Sequence, residues 1–131
     1  MNVTAHRDNH RMEMWNHPSC SKCAGARARL DAADVGYRIR PYLEEPPSAE
    51  EITEVLRRLG REPWEICRTG EPAAAELGLS GWSREPADRE RWIAAMAAHP
   101  SLIQRPILIF DDGTALVART PEALDAAVEK A

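Results

Sequence analysis

The 131-residue sequence predicts an α/β domain: a mixed sheet of about four strands, flanked by helices, with a helical insert before the last two strands. Three observations lead there. Strand-like and helix-like segments alternate in the first half of the chain, as a βαβ crossover requires, and such a crossover makes its two strands parallel. A long Pro- and Gly-punctuated helical stretch follows. Two apolar runs separated by Asp112-Gly113 then read as a β-hairpin, whose strands are antiparallel.

Residues 1–11 are polar and without periodicity, and are expected to be a disordered extension of a single domain spanning 12–131. Met12 to Trp15 alternates around Glu13 and reads as a short strand running into a turn at Asn16, His17 and Pro18. Ser19 is placed to cap a helix rich in strong helix formers that runs to about Ala33 and stops near Gly36. Tyr37 to Tyr42 follows as the second strand, and Pro46-Pro47 breaks the chain. Ser48-Ala-Glu-Glu51 has the form of a capping box, and Ile52, Val55, Leu56 and Leu59 give the next helix its apolar stripe up to Gly60. Short helices are expected over 63–79, and another from Pro86 to Ala98, where Trp92, Ile93 and Met96 recur at helical spacing. Pro106 to Phe110 reads as a buried strand with Ala115 to Ala118 as its partner, and Thr120-Pro121 starts the final helix. This order of elements is thioredoxin-like.

Seventeen basic against twenty-one acidic residues leave a formal net charge of −4, which argues against nucleic-acid binding through a general basic surface. No stretch approaches the roughly 18 apolar residues that a membrane span needs, and the N-terminus lacks a leader-like apolar core, so a cytoplasmic protein is expected. In that reducing compartment the three cysteines point to chemistry before stapling.

Cys20 follows a strand and a proline turn and is expected in the first turn of the helix, where free N–H groups and the helix dipole favour a thiolate. Cys23, three residues on, lies near the same face and suits a resolving thiol or a disulfide partner. The alternatives are a zinc half-site or two core cysteines; zinc needs further ligands, and the sequence holds no second C-x-x-C or H-x-x-x-H, so no metal is expected. Cys67 is read as structural. Lys22 either lowers the thiol pKa or is a solvated helix residue. His6, His10 and His99 show no convergent acidic partners, and Trp15, Trp64, Trp82 and Trp92 are read as core fillers.

Arg68, Arg105 and Arg119 each stand at a turn or element end. Guanidinium forks suit tetrahedral oxyanions, so the three can form one cationic pocket in an acidic protein; solvated arginines, or an ion pair with a neighbour such as Glu71, are the alternative.

The stretches HPSCSKC (17–23), YLEEPPS (42–48), Arg68 with Glu71-Pro72 and ELGL (68–79), HPSLIQRPI (99–107) and Gly113 to Arg119 resemble the glutaredoxin-linked arsenate reductase (ArsC) family, over roughly Met12 to Pro121. The resemblance implies a nucleophile at Cys20, oxyanion binding by Arg68, Arg105 and Arg119, and a cis peptide before Pro106. It also implies arsenate as substrate, no bound cofactor, and a low-molecular-weight thiol, glutaredoxin or thioredoxin as reductant. Two departures stand out. Asn16 occupies the position of the family's histidine, with His17 beside it as a candidate assistant to Cys20. Cys23 is an added thiol, reminiscent of the Spx-type regulators, which have this fold but bind RNA polymerase; those lack the Tyr-Leu-x-x-Pro-Pro-Ser element, so a Cys20–Cys23 redox switch ranks second.

Overall fold

A computed structural model describes residues 12–130. The expected N-terminal extension, with His6 and His10, lies outside the described residues. Four strands, β1 (Met12–Trp15), β2 (Arg38–Arg40), β3 (Ile107–Phe110) and β4 (Ala115–Val117), form one sheet in the order β2-β1-β3-β4. Five α-helices are present among the described residues: α1 (Ser21–Ala32), α2 (Ala49–Leu59), α3 (Pro72–Leu77), α4 (Arg89–Ala98) and α5 (Pro121–Lys130). Strands β1 and β2 are parallel, while β3 is antiparallel to both β1 and β4, the mixed sheet expected from the crossover and the hairpin. This is a thioredoxin-like fold.

The chain divides into two compact units, one running to Tyr42 and resuming at Arg105, the other Leu43–Gln104. In the first, the sheet packs Met12, Met14, Leu108 and Phe110 against Ala26 and Leu30 of α1 and Ala127 of α5, all essentially buried. Each fully buried Leu or Met side chain contributes about 1.5–3 kcal/mol, so this cluster fixes α1, and with it the cysteines, to the sheet. In the second, Ile52, Val55 and Leu56 of α2 and Trp92, Ile93 and Met96 of α4 are buried. Trp92 meets Trp64 and Trp82 edge-on, at centroid distances of 6.2 and 5.6 Å, as favoured by aromatic quadrupoles.

Local chemistry sets the helix ends. The Ser48 hydroxyl accepts from Glu51 N–H at 3.1 Å while Glu51 Oε1 accepts from Ser48 N–H at 3.0 Å, the expected capping box, and Gly60 closes α2 in the left-handed region at φ 67°. Helix α1 ends at Ala32, as expected to within a residue, and Asp34 just beyond it takes φ 60°, a conformation its short side chain tolerates better than most. The second strand is shorter than expected, three residues instead of six. The β3–β4 connection is also not a two-residue turn. Phe110 N–H donates to Thr114 O at 2.9 Å, which leaves Asp111, Asp112 and Gly113 as a three-residue loop with Gly113 at φ 92°.

Candidate active site

Strand β1 delivers Asn16 and His17 to the turn before α1, and the turn delivers Cys20. The N-terminal cap of α1 is Cys20 itself, not Ser19, with extended backbone at φ −92°, ψ 126°. Cys20 therefore stands one position earlier than the first helical turn, where an N-cap side chain faces the free amides of the second and third helical residues, here Lys22 and Cys23. The sulfur forms no cap hydrogen bond, yet those two amide dipoles act on it. Partial burial opposes ionisation of Cys20, but Cys23 N–H, the Arg105 guanidinium by hydrogen bonding and charge, and Lys22 N–H outweigh it, bringing the pKa from 9.0 to about 7. Lys22 thus acts through its backbone; its side chain is exposed.

Cys23 differs in every respect. It is fully buried, and burial first, then the neighbouring Cys20, pushes its pKa up; the His17 N–H, which donates to its sulfur at 3.3 Å, and the charge of Arg27 pull the other way. All three cysteines are free. Cys67 is buried in the second unit, with a pKa pushed up to about 11 by burial, which fits the structural reading.

His17 works largely through its backbone and its own turn. Its carbonyl accepts from Cys20 N–H at 3.2 Å, and its Nδ1 accepts from Ser19 N–H at 3.1 Å. Asn16, 9% exposed, donates its N–H to Arg40 O at 3.0 Å, and its Oδ1 accepts from the Arg27 guanidinium.

Of the three arginines singled out, Arg105 and Arg119 lie on the same unit as the thiols. Arg105 is 8% exposed, and its peptide bond to the buried Pro106 is cis. Arg119 Nη1 donates to the Arg105 carbonyl at 2.6 Å, so the two side chains are held from the same backbone bend. Arg68 belongs to the second unit, after the Cys67–Ile103 bridge, with its N–H on Leu102 O at 2.6 Å. Its Nε pairs with Glu71 Oε2 at 3.2 Å, the ion pair that the sequence offers as the alternative reading.

Two residues at this site are not singled out by the sequence. Tyr42 is fully buried and stacked on Trp15 at 6.4 Å; its hydroxyl lies beside Arg105 without completing a hydrogen bond. Burial foremost pushes its pKa up to about 12, with Arg105 opposing and Cys23 and Cys20 adding to the rise, so it stays protonated. Arg27 is the other, one helical turn beyond Cys23; the signal is that four-residue spacing. Among the described residues no group of His, Cys, Asp and Glu is arranged to hold a metal ion, and no helix is long and apolar enough to cross a membrane.

The arrangement gives an acidic thiol at a helix start, a guanidinium on that thiol, a second guanidinium bonded to the backbone carbonyl of the first arginine, and a buried second thiol: the groups needed for nucleophilic attack at an oxyanion centre followed by thiol exchange. The chain is 53% identical over 91% of its length, and all of the relative's, to an "Uncharacterized protein in glnII region" of Streptomyces viridochromogenes. It is 30% identical over 73% of its length, and 71% of the relative's, to the "Global transcriptional regulator Spx" of Listeria innocua. A solved arsenate reductase from Vibrio cholerae superposes with a TM-score of 0.78 at 34% identity, covering 89% of this chain and 98% of that one. The ArsC family model matches residues 15–127, a span holding both reactive-type cysteines and all three arginines, and the chain belongs to the ArsC family.

Proposed function

We propose that this protein is a cytoplasmic, thiol-dependent arsenate reductase, with Cys20 as nucleophile. The observation that carries this reading is the Cys20 thiol at the α1 cap, with the Arg105 guanidinium on it and a pKa near 7, so that a large thiolate fraction exists at neutral pH. Arg105 and Arg119 hold arsenate oxygens, and Arg68 is a third candidate ligand on the family resemblance. Guanidinium stays charged at every working pH and offers paired donors, which lowers the cost of adding charge at arsenic.

In the first step the Cys20 thiolate attacks arsenic(V): a sulfur–arsenic bond forms, and one arsenate oxygen leaves as water after protonation. A second thiolate, from Cys23 or a low-molecular-weight thiol, then attacks the Cys20 sulfur. A disulfide forms, the sulfur–arsenic electron pair passes to arsenic, and arsenic(III) leaves as arsenite. Glutaredoxin, thioredoxin or excess thiol supplies the two electrons that reduce the disulfide. No bound cofactor is called for.

Purified protein given arsenate, a thiol and a glutaredoxin or thioredoxin system is expected to release arsenite, and Cys20→Ser to abolish turnover. Failure to produce arsenite with any of these donors, or full turnover in Cys20→Ser, would overturn the reading. A second reading is supported by the C-x-x-C spacing and the likeness to a regulator: a Cys20–Cys23 switch that controls binding to RNA polymerase. Redox-dependent retention of RNA polymerase by a protein without reductase activity would favour it.

A further inference from the structure

Arg27 differs from the seven described arginines that form ion pairs. Arg29, Arg38, Arg57, Arg58, Arg61, Arg68 and Arg89 each face a carboxylate, whereas half-buried Arg27 has no carboxylate partner among the described residues and donates instead to the neutral Asn16 Oδ1. Its position on α1 is four residues after Cys23, which puts both side chains on one helix face. Asn16 immediately precedes His17, whose N–H donates to Cys23 Sγ at 3.3 Å. Asn16 is itself anchored to Arg40 O, so Arg27 is tied to a backbone already fixed against β2. The Cys23 sulfur thus has a backbone donor, and along its helix a guanidinium that forms no carboxylate ion pair among the described residues.

We propose that Arg27, oriented by Asn16, is a positioning residue that stabilises the Cys23 thiolate as it resolves an adduct on Cys20. The position that the family resemblance assigns to a histidine serves, in this chain, the second thiol instead of the first. The step is an exchange: Cys23 Sγ attacks the Cys20 sulfur of a Cys20–S–R mixed disulfide, the Cys20–Cys23 bond forms, and R–S⁻ leaves with the displaced electron pair. No external oxidant enters. The ionisable groups that act on Cys23 are Cys20, Tyr42 with Arg105 beside it, and Arg27, while His17 meets it through its backbone N–H; near Arg27 are Tyr37 and Asp31, which bond each other at 2.8 Å. Of these, Arg27 and Arg105 are the permanent cations, and Arg105 acts on Cys20.

The inference rests on the reading of Cys20 as a reactive thiol and not on arsenate as its substrate, so the test uses thiol chemistry alone. The reduced full-length protein is treated with an aromatic disulfide reagent that places a coloured thiol on Cys20. One coloured thiolate is released on modification of Cys20, and a second when Cys23 displaces the group; Cys23→Ser identifies the second phase by losing it. In Arg27→Gln the second phase is expected to slow about tenfold relative to the first at neutral pH, with its pH midpoint raised by about one unit. Arg27→Lys should restore most of both. Asn16→Ala, which keeps the charge and removes its anchor, should give a smaller loss in the same direction. An Arg27→Gln protein with an unchanged second-phase midpoint, or an Arg27→Lys protein as slow as Arg27→Gln, would overturn the proposal. A wild-type protein without the first phase would overturn the reading of Cys20 as well.

Discussion

The arginines nearest the thiols keep different company from most arginines of the second unit. In Leu43–Gln104, Arg57 and Arg58 share Glu54, while Arg61 faces Glu65, Arg68 faces Glu71 and Arg89 faces Glu62, so five of the seven arginines there are matched by an acid, and a sixth, Arg91, lies over the Trp82 ring. In the thiol-bearing unit, Arg27 and Arg119 donate to neutral oxygens, and Arg105 acts on the Cys20 thiol. The ordinary ion pairs there, Arg29–Asp125 and Arg38–Glu13, involve exposed arginines. A guanidinium already facing a carboxylate has little field left for an incoming anion; one held by a carbonyl keeps its charge and is merely oriented. A protein of net charge −4 can therefore present a cationic site by withholding carboxylates from a few places.

Breaking the contrast at its strongest point means removing Arg105. Arg105→Gln keeps the side-chain length roughly similar and deletes the charge, and is expected to lower kcat/KM for arsenate about 10²–10³-fold, the usual cost of losing one donor from an oxyanion site. The same variant has a signature independent of substrate. Arg105 favours the charged form of Cys20, so its loss moves the thiol pKa from about 7 back toward 9.0. The thiolate is the reactive species, so wild-type alkylation should rise through about pH 7 and level off above it, and the variant's curve should shift to higher pH. An unmoved curve would mean that the helix-start amides alone set the acidity of Cys20.

What the sequence discloses of this site, and what it hides, follows from how local each cue is. Ser48 and Glu51 make their capping box within four residues, and Met12 to Trp15 shows its alternation directly, so both were readable as written. The cis bond at Arg105–Pro106 was implied by the family's motif and is present. The start of α1 is less legible, because Cys20 stands at the cap in place of the serine beside it. Tyr42 and Arg27 give no local cue, because their relevance depends on packing through space. Nothing in the order of residues says that Tyr42 lies against Trp15 beside Arg105, or that Arg27 meets Asn16, eleven residues away. Arg68 illustrates the reverse: its ion pair with Glu71 was visible at three residues' spacing.

Arg119 offers the next test of the contrast. One of its N–H groups is committed to the Arg105 carbonyl, and the fork retains donors for an oxygen of the substrate. Arg119→Lys preserves the charge and loses the fork geometry, so we expect a loss of about tenfold in kcat/KM, corresponding to about 1.4 kcal/mol, carried mainly by KM. The Cys20 alkylation curve should stay in place, because the acidity of Cys20 is set by Arg105 and the helix-start amides. A shift of that curve in Arg119→Lys would show that the bond to the Arg105 carbonyl orients the Arg105 side chain as well.

The smallest expected effect decides whether Arg68 belongs with the arginines that serve the thiol or with those that are merely solvated. Both members of the Arg68–Glu71 pair are roughly a quarter exposed, with side-chain values of 26% and 23%, and pairs of this kind are worth about 1 kcal/mol or less. Glu71→Gln removes the neutralising carboxylate and leaves the guanidinium. If Arg68 holds an arsenate oxygen, releasing its charge should lower KM for arsenate about two- to fivefold, the range that such a pair energy allows, while Arg68→Gln raises KM and leaves the Cys20 curve where it was. If neither substitution moves KM, Arg68 is an ordinary ion-paired arginine like Arg61 and Arg89. The proposed oxyanion site then reduces to Arg105 and Arg119 of the thiol-bearing unit.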